Sequence, residues 1–130
     1  MSSLGFVKLH GTNGESDIIV RYDAFVAGLF KYDPSPIIMK LHAAVGISGE
    51  AGELLDAIKK VWIYNKPEDR ENILEELGDL RFYIQALQNQ MGFTEQEVLQ
   101  HNANKLAKRY AGLTYSDSAA QLRADKREEN

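Results

Sequence analysis

The chain contains no cysteine, which excludes disulfides, thiolate-held metals and thiol nucleophiles and is in keeping with a reducing compartment. It also lacks any surplus of positive charge. Fifteen lysines and arginines stand against nineteen aspartates and glutamates, for a formal net charge of -4, so no basic field exists to hold DNA or RNA non-specifically. A nucleic-acid polymer is therefore not an expected partner. No apolar run approaches the roughly 18 residues that a membrane span requires, and Met1 to Phe30 shows no basic start followed by an apolar stretch and a small-residue cleavage site. The expectation is a cytoplasmic protein without a membrane partner, residing in the host cytoplasm if phage-encoded. What is present is 130 residues with 44% hydrophobic content, enough for one compact domain with a real core and too little for two.

Residues 1–16 mix Gly5, Gly11, Gly14, Ser2, Ser3 and Asn13 with a few apolar residues and keep no period, which predicts an irregular N-terminal arm. From Asp17 the apolar residues Ile18, Ile19, Tyr22, Phe25, Val26, Leu29 and Phe30 recur at spacings of three and four, as on a one-sided helix. Asp33-Pro34-Ser35-Pro36 ends it. Ser35 as cap and Pro36 at the first helical position start a second helix, and Gly46, Gly49 and Gly52 make residues 36–63 either one bent helix or two. A third helix is expected from about Pro67 to Met91, with Glu68, Asp69 and Glu71 at its positive end and Gly92 beyond its last turn. Thr94 and Glu97 form a capping box for a fourth helix reaching about Tyr110. A short helix from Ser116 leads into a charged tail over 126–130. No segment alternates convincingly as a strand, so the fold class is all-α, a bundle of four to five helices over 17–125.

Two octets carry the chemistry. Ile47-Ser48-Gly49-Glu50-Ala51-Gly52-Glu53-Leu54 and Ile73-Leu74-Glu75-Glu76-Leu77-Gly78-Asp79-Leu80 share the pattern Ile-x-x-Glu-apolar-Gly-acid-Leu. At about 100° per residue, Glu50 and Glu53 flank the stripe of Ile47, Ala51, Leu54 and Ile58, and Glu76 and Asp79 take the same flank beside Ile73, Leu77, Leu80 and Ile84. If the two stripes pack, four acids converge beside the seam, with Gly52 and Gly78 removing bulk where backbones approach. Four close carboxylates repel unless cations sit among them. All-oxygen donors on rigid helices suit a hard ion, Mg²⁺ or in substitution Mn²⁺, which keeps positions open for water and phosphate. Two such ions would offset four carboxylates, so an anionic substrate needs added cations, for which Lys60, Lys105 and Arg109 are candidates. A ferritin-like di-iron bundle requires Glu-x-x-His pairs, and none of His10, His42 and His101 lies three residues after a glutamate.

The run Leu41 to Lys60, which contains Gly49-Glu50-Ala51-Gly52-Glu53-Leu54, resembles the first motif of the MazG-like all-α NTP pyrophosphatases. Asn72 to Leu80 is similar to that family's second motif, and Asn102-Ala103-Asn104-Lys105-Leu106-Ala107-Lys108-Arg109-Tyr110 to its N-x-x-K-L-x-x-R-Y segment. Tyr115-Ser116-Asp117 and Arg123-Ala124-Asp125 resemble the tails of short phage and bacterial members. The likeness covers about residues 37–125. It implies a helical bundle completed by assembly as a homodimer or homotetramer. The implied reaction is hydrolysis of a (deoxy)nucleoside triphosphate at the α-β phosphoanhydride, giving monophosphate and pyrophosphate, for control of the nucleotide pool. Glu50, Glu53, Glu76 and Asp79 then take the metal-ligand and catalytic roles, while Asn102, Lys105 and Arg109 match nucleotide-contacting positions. Gly49 stands where many relatives carry another glutamate, so no fifth ligand carries over.

Two other readings remain open: a catalytically silent helical module that binds nucleotide or protein, and the same hydrolase acting on a phosphoribosyl-linked nucleotide or a nucleotide diphosphate. Among the remaining residues, Trp62 falls near the apolar stripe and is expected to pack in the core rather than stack on a base, Asn72 to cap in preference to filling a turn or approaching nucleotide, and His42 to be half-buried rather than a ligand. Tyr83, on the flank of Glu76 and Asp79, suits packing and a substrate edge equally. Lys60 lies on the acidic flank and Lys59 does not. Glu75 and Asp56 fall further round towards solvent, as surface residues or as groups that support the ligands from behind.

Overall fold

The computed structural model describes residues 5–129, with side chains as far as Lys126. Among these residues the architecture is all-α, five α-helices with one small two-stranded sheet. The chain forms two compact units, residues 1–92 and 93–130, so the stretch expected as one domain over 17–125 spans both.

The first unit opens with a ribbon that the sequence pattern did not predict. Strands β1 (Phe6–Leu9) and β2 (Ile18–Arg21) pair antiparallel, Phe6 opposite Arg21 and Leu9 opposite Ile18. Part of the expected irregular arm is thus a strand, and the helix expected from Asp17 starts at Tyr22 instead. The cause lies in the connection. Asn13 and Gly14 both adopt positive φ, 53° and 83°, and the Glu15 N–H donates to the Thr12 carbonyl at 3.0 Å, a tight turn whose twist suits paired strands. The β-branched run Ile18-Ile19-Val20 gains more from that pairing than from a first helical turn.

Helix α1 (Tyr22–Leu29) carries Val26 inward, and Phe30 follows it. Helix α2 (Pro36–Trp62) runs uninterrupted through its three glycines. Pro36 stands at its start, but the Ser35 side chain makes no capping bond; its N–H donates instead to Asp33 Oδ1 at 2.8 Å. Helix α3 (Arg70–Met91) begins three residues after Pro67 because the Asp69 carboxylate accepts the Asn72 N–H at 3.0 Å, so Asp69 rather than Asn72 is the cap. Gly92, at φ 72°, ends the helix as expected.

Val26, Phe30, Ala43 and Ala86 form the buried cluster, with Tyr22, Met39, Phe82, Tyr83 and Leu87 packed around it. Phe30 stacks on His42 at a ring separation of 4.7 Å and meets the edge of Tyr83 at 6.5 Å. Among the glycines of α2, Gly46 is the one pressed by a neighbour: a methyl group there would run into the Tyr83 ring, while Gly49, Gly52 and, on α3, Gly78 face open space. The close approach expected at Gly52 and Gly78 therefore occurs at Gly46. Asn89 ties α3 to α1, its amide donating to the Asp23 carbonyl at 2.9 Å.

In the second unit Thr94 and Glu97 make the expected capping box for α4 (Glu95–Arg109). The Ser116 hydroxyl accepts the Ala119 N–H at 3.1 Å and starts α5 (Asp117–Leu122). A 3-10 helix over Ala124–Glu129 occupies most of the expected charged tail; Asn130 lies outside the described residues. No described helix is long and apolar enough to cross a membrane.

Two glycine substitutions separate packing from propensity. Gly46→Ala should cost about 1–2 kcal/mol, because displacing a packed ring outweighs a helix gain of roughly 1 kcal/mol. Gly49→Ala, with open space around it, should stabilise by about 0.5–1 kcal/mol. Urea unfolding of both variants checks the opposite signs.

Candidate metal centre

Helices α2 and α3 run antiparallel along one seam: Gly46 meets Tyr83, Glu50 meets Glu76 and Asp79, and Ala57 borders the same cavity as Asn72. The seam exists because Ala43, Ile47, Glu50, Leu54, Ala57 and Val61 recur at three and four along the least exposed face of α2.

Glu50, Glu76 and Asp79 each place a carboxylate oxygen within 4.8 Å of the others. Glu50 and Glu76 are half-buried and Asp79 is exposed. Glu53 is exposed and outside that triad, but its charge reaches Glu76 and it borders the adjoining cavity. Partial burial pushes the Glu76 pKa above the usual carboxylate value, and the charges of Glu50, Glu53 and Asp79 push it the same way, as does a hydrogen bond shared with Glu50. A cluster that favours a shared proton is one that a divalent cation would relieve. Its donors are all oxygen, and three lie close enough to share one ion, which fits a hard cation.

Beside the triad the seam opens into a cavity of about 270 Å³. Glu53 and Glu76 form its acidic wall, and Lys59, Lys60, Tyr64 and Asn72 the wall further along. Lys60 is thus where its flank placed it, and Lys59, which is off that flank, also borders the cavity. Asp56 is exposed yet lines the same space, whereas Glu75 faces solvent. Their sequence positions carry the signal: Asn72 lies four residues before Glu76, and Lys60 seven after Glu53, each continuing its acid's flank. Tyr22, from α1, comes near Asp79; burial raises its pKa, the Arg81 charge lowers it and the Asp79 charge raises it further. Nothing in the sequence spacing pointed to Tyr22, because it comes from another helix.

Trp62 is 85% exposed, not packed in the core, because it falls on the face of α2 turned away from α3. Tyr83 is half-buried against Phe30, Phe82 and Gly46, and packing takes its ring.

Asn102, Lys105 and Arg109 lie on α4, in the second unit. Asn102 is exposed and Lys105 half-buried. Arg109 grips Asp125 with two parallel bonds, Nε to Oδ1 at 2.9 Å and Nη2 to Oδ2 at 3.1 Å. The Asp125 side chain is 1% exposed, and the Arg109 hydrogen bonds pull its pKa down to about 2. The anion beside Arg109 is thus the protein's own carboxylate, a partner sixteen residues away.

Residues 41–113 match the MazG nucleotide pyrophosphohydrolase domain, and the chain belongs to that family. It is similar to the Gene 37 protein of Mycobacterium phage L5, 36% identical over 73 residues that cover 52% of this chain and 63% of that protein. The matched segment therefore spans less than two thirds of that relative's length. No solved structure matches.

Two titrations follow. Because the folded-state pKa of Glu76 is raised, its contribution favours folding where it is protonated and is lost as pH rises through that pKa. Glu76→Gln should therefore melt higher than the parent in EDTA at pH 7, and added Mg²⁺ should raise the parent's melting temperature but not the variant's. Asp125 has the opposite sign. Its depressed pKa supports the fold above the ordinary carboxylate range and fails as pH falls from about 4 towards about 2. Hydrogen exchange should show amides of α5 losing protection across that window, and losing it already at pH 7 in Asp125→Ala.

Proposed function

We propose that the protein is a Mg²⁺-dependent nucleoside triphosphate pyrophosphohydrolase that cuts the α-β phosphoanhydride, releasing nucleoside monophosphate and pyrophosphate in the service of nucleotide-pool control. The observation that carries this reading is the carboxylate triad of Glu50, Glu76 and Asp79, with mutual oxygen distances within 4.8 Å, on a chain of the MazG family. Glu50, Glu53, Glu76 and Asp79 are the residues that would hold the metal, with Mn²⁺ an acceptable substitute. Bound there, a divalent cation supplies polarisation of the phosphoryl oxygens and a lowered pKa for the attacking water.

The chain's own groups account for the rest. Glu50 and Glu76, half-buried on opposing helices, hold the acids at a separation that packing rather than solvent decides. Lys60 borders the cavity beside Glu53 and Glu76, as does Lys59, and together they set positive charge against the acids, which an anionic substrate requires. Asn102, Lys105 and Arg109 are assigned to the nucleotide, with Asp125 orienting the Arg109 guanidinium.

The protein is proposed to act as a homodimer or homotetramer. Leu41, Val45, Leu55 and Trp62 lie on the face of α2 opposite α3 and are 57%, 61%, 63% and 85% exposed. A helix apolar on both faces belongs inside an assembly, and a second copy of this chain offers the same face in return.

Incubation with ribo- and deoxynucleoside triphosphates and Mg²⁺ should release pyrophosphate and no orthophosphate, from a species whose light-scattering mass is a multiple of 14.6 kDa. Glu53→Gln and Asp79→Asn should each abolish turnover while keeping the helical circular-dichroism signal. Nucleotide binding without release of either product would instead indicate a silent module.

A further inference from the structure

Asp56, Lys60, Tyr64 and Asn72 stand outside the carboxylate triad, yet all four line the cavity of about 270 Å³ that adjoins Glu53 and Glu76. Their chemistry is mixed. Lys60 only donates hydrogen bonds and an ionised Asp56 only accepts, whereas Asn72 does both and Tyr64 adds an aromatic face and a hydroxyl. Asp56 and Lys60 are one helical turn apart, but neither side chain is engaged in an ion pair or hydrogen bond among the described residues. The Asn72 side chain is also uncommitted, since its helix start is capped by Asp69 through the Asn72 backbone. The cavity therefore presents unspent donors and acceptors together.

That combination decides what part of a nucleotide belongs there. Asp56 is not among the proposed metal ligands, so no cation offsets its carboxylate, which opposes a phosphate oxygen at its own position on the wall. The edge of a nucleobase, by contrast, alternates donors and acceptors, and its ring has an apolar face for Tyr64. The volume of about 270 Å³ leaves room for part of a nucleotide.

We propose that this cavity is the base pocket, and that Asp56 makes the protein prefer bases carrying an exocyclic amino group over uracil and thymine. The inference rests on the hydrolase reading above. The Asp56 carboxylate accepts the amino N–H, while the Lys60 ammonium and the Asn72 amide donate to a neighbouring ring nitrogen or carbonyl. Uracil and thymine bring a carbonyl oxygen to the position of the amine. Two acceptors then face each other at the cavity wall, and discrimination follows from that mismatch.

The test compares kcat/KM for dCTP, dATP, dGTP, dUTP and dTTP in the parent chain, Asp56→Ala and Asp56→Asn, alongside calorimetric binding of dCMP and dUMP in Mg²⁺. The parent should favour the amino bases and bind dCMP more tightly than dUMP. Asp56→Ala should lose about tenfold on the amino bases with little change on dUTP, and Asp56→Asn, which can donate to a carbonyl, should gain on dUTP. Equal losses on all five substrates, no loss on any, or a parent that prefers uracil or thymine would each overturn the assignment. If the parent releases pyrophosphate from none of them, the hydrolase reading fails, and the dCMP and dUMP affinities of parent and variants still decide whether Asp56 reads the base.

Discussion

The contact between α2 and α3 is the constraint on which the rest depends. The two helices approach closely because Gly46 lets the Tyr83 ring lie against its backbone, and Tyr83 is in turn held by Phe30 and Phe82. Once that end of the seam is set, helical geometry dictates the rest: Glu50 comes opposite Glu76 and Asp79, and Ala57 and Lys60 come near Asn72. Hydrophobic packing thereby assembles a group of negative charges that would separate if free in solution. Burial first, and then the charges of Glu50, Glu53 and Asp79, raise the Glu76 pKa, a strain that a cation among the carboxylates would relieve.

The seam is graded along its length. At one end are aromatic rings around Gly46, in the middle the carboxylates, and at the other a cavity bordered by lysines, an amide, a phenol and Asp56. Such a gradient separates the chemistry by position: apolar packing at the first end, clustered negative charge in the middle and mixed polar groups at the last. It also explains why α2 is long. Twenty-seven residues are needed to carry the core, the acids and the cavity wall on one face while keeping an apolar stripe of Leu41, Val45, Leu55 and Trp62 on the other.

Much of this was legible from spacing. The paired octets placed Glu50, Glu76 and Asp79 on facing flanks because helical periodicity fixes which residues share a side. The stops at Asp33-Pro34 and Gly92, the Thr94 and Glu97 box and the Ser116 cap were equally readable, since each depends on neighbours within four residues. The ribbon of β1 and β2 was not read, because four-residue strands are too short for alternation to declare itself, although Asn13-Gly14 between apolar runs was a usable hairpin sign. The exposure of Trp62 is not legible in the sequence, because a helix with apolar residues on both faces gives no indication from periodicity of which face meets the neighbouring helix.

What the sequence by itself determined was everything carried by one helix at a time: the caps, the octets, the identity of the acids and the family to which they belong. Tertiary structure alone decided what crosses between helices. It chose Gly46 over Gly52 and Gly78 as the point of close approach, brought Tyr22 beside Asp79, turned Asp56 and Asn72 towards a shared cavity and gave Arg109 to Asp125. The physical reason is that periodicity specifies angles around a helix axis but not the register between two axes, which is set by how side chains of particular volume fill the space between them.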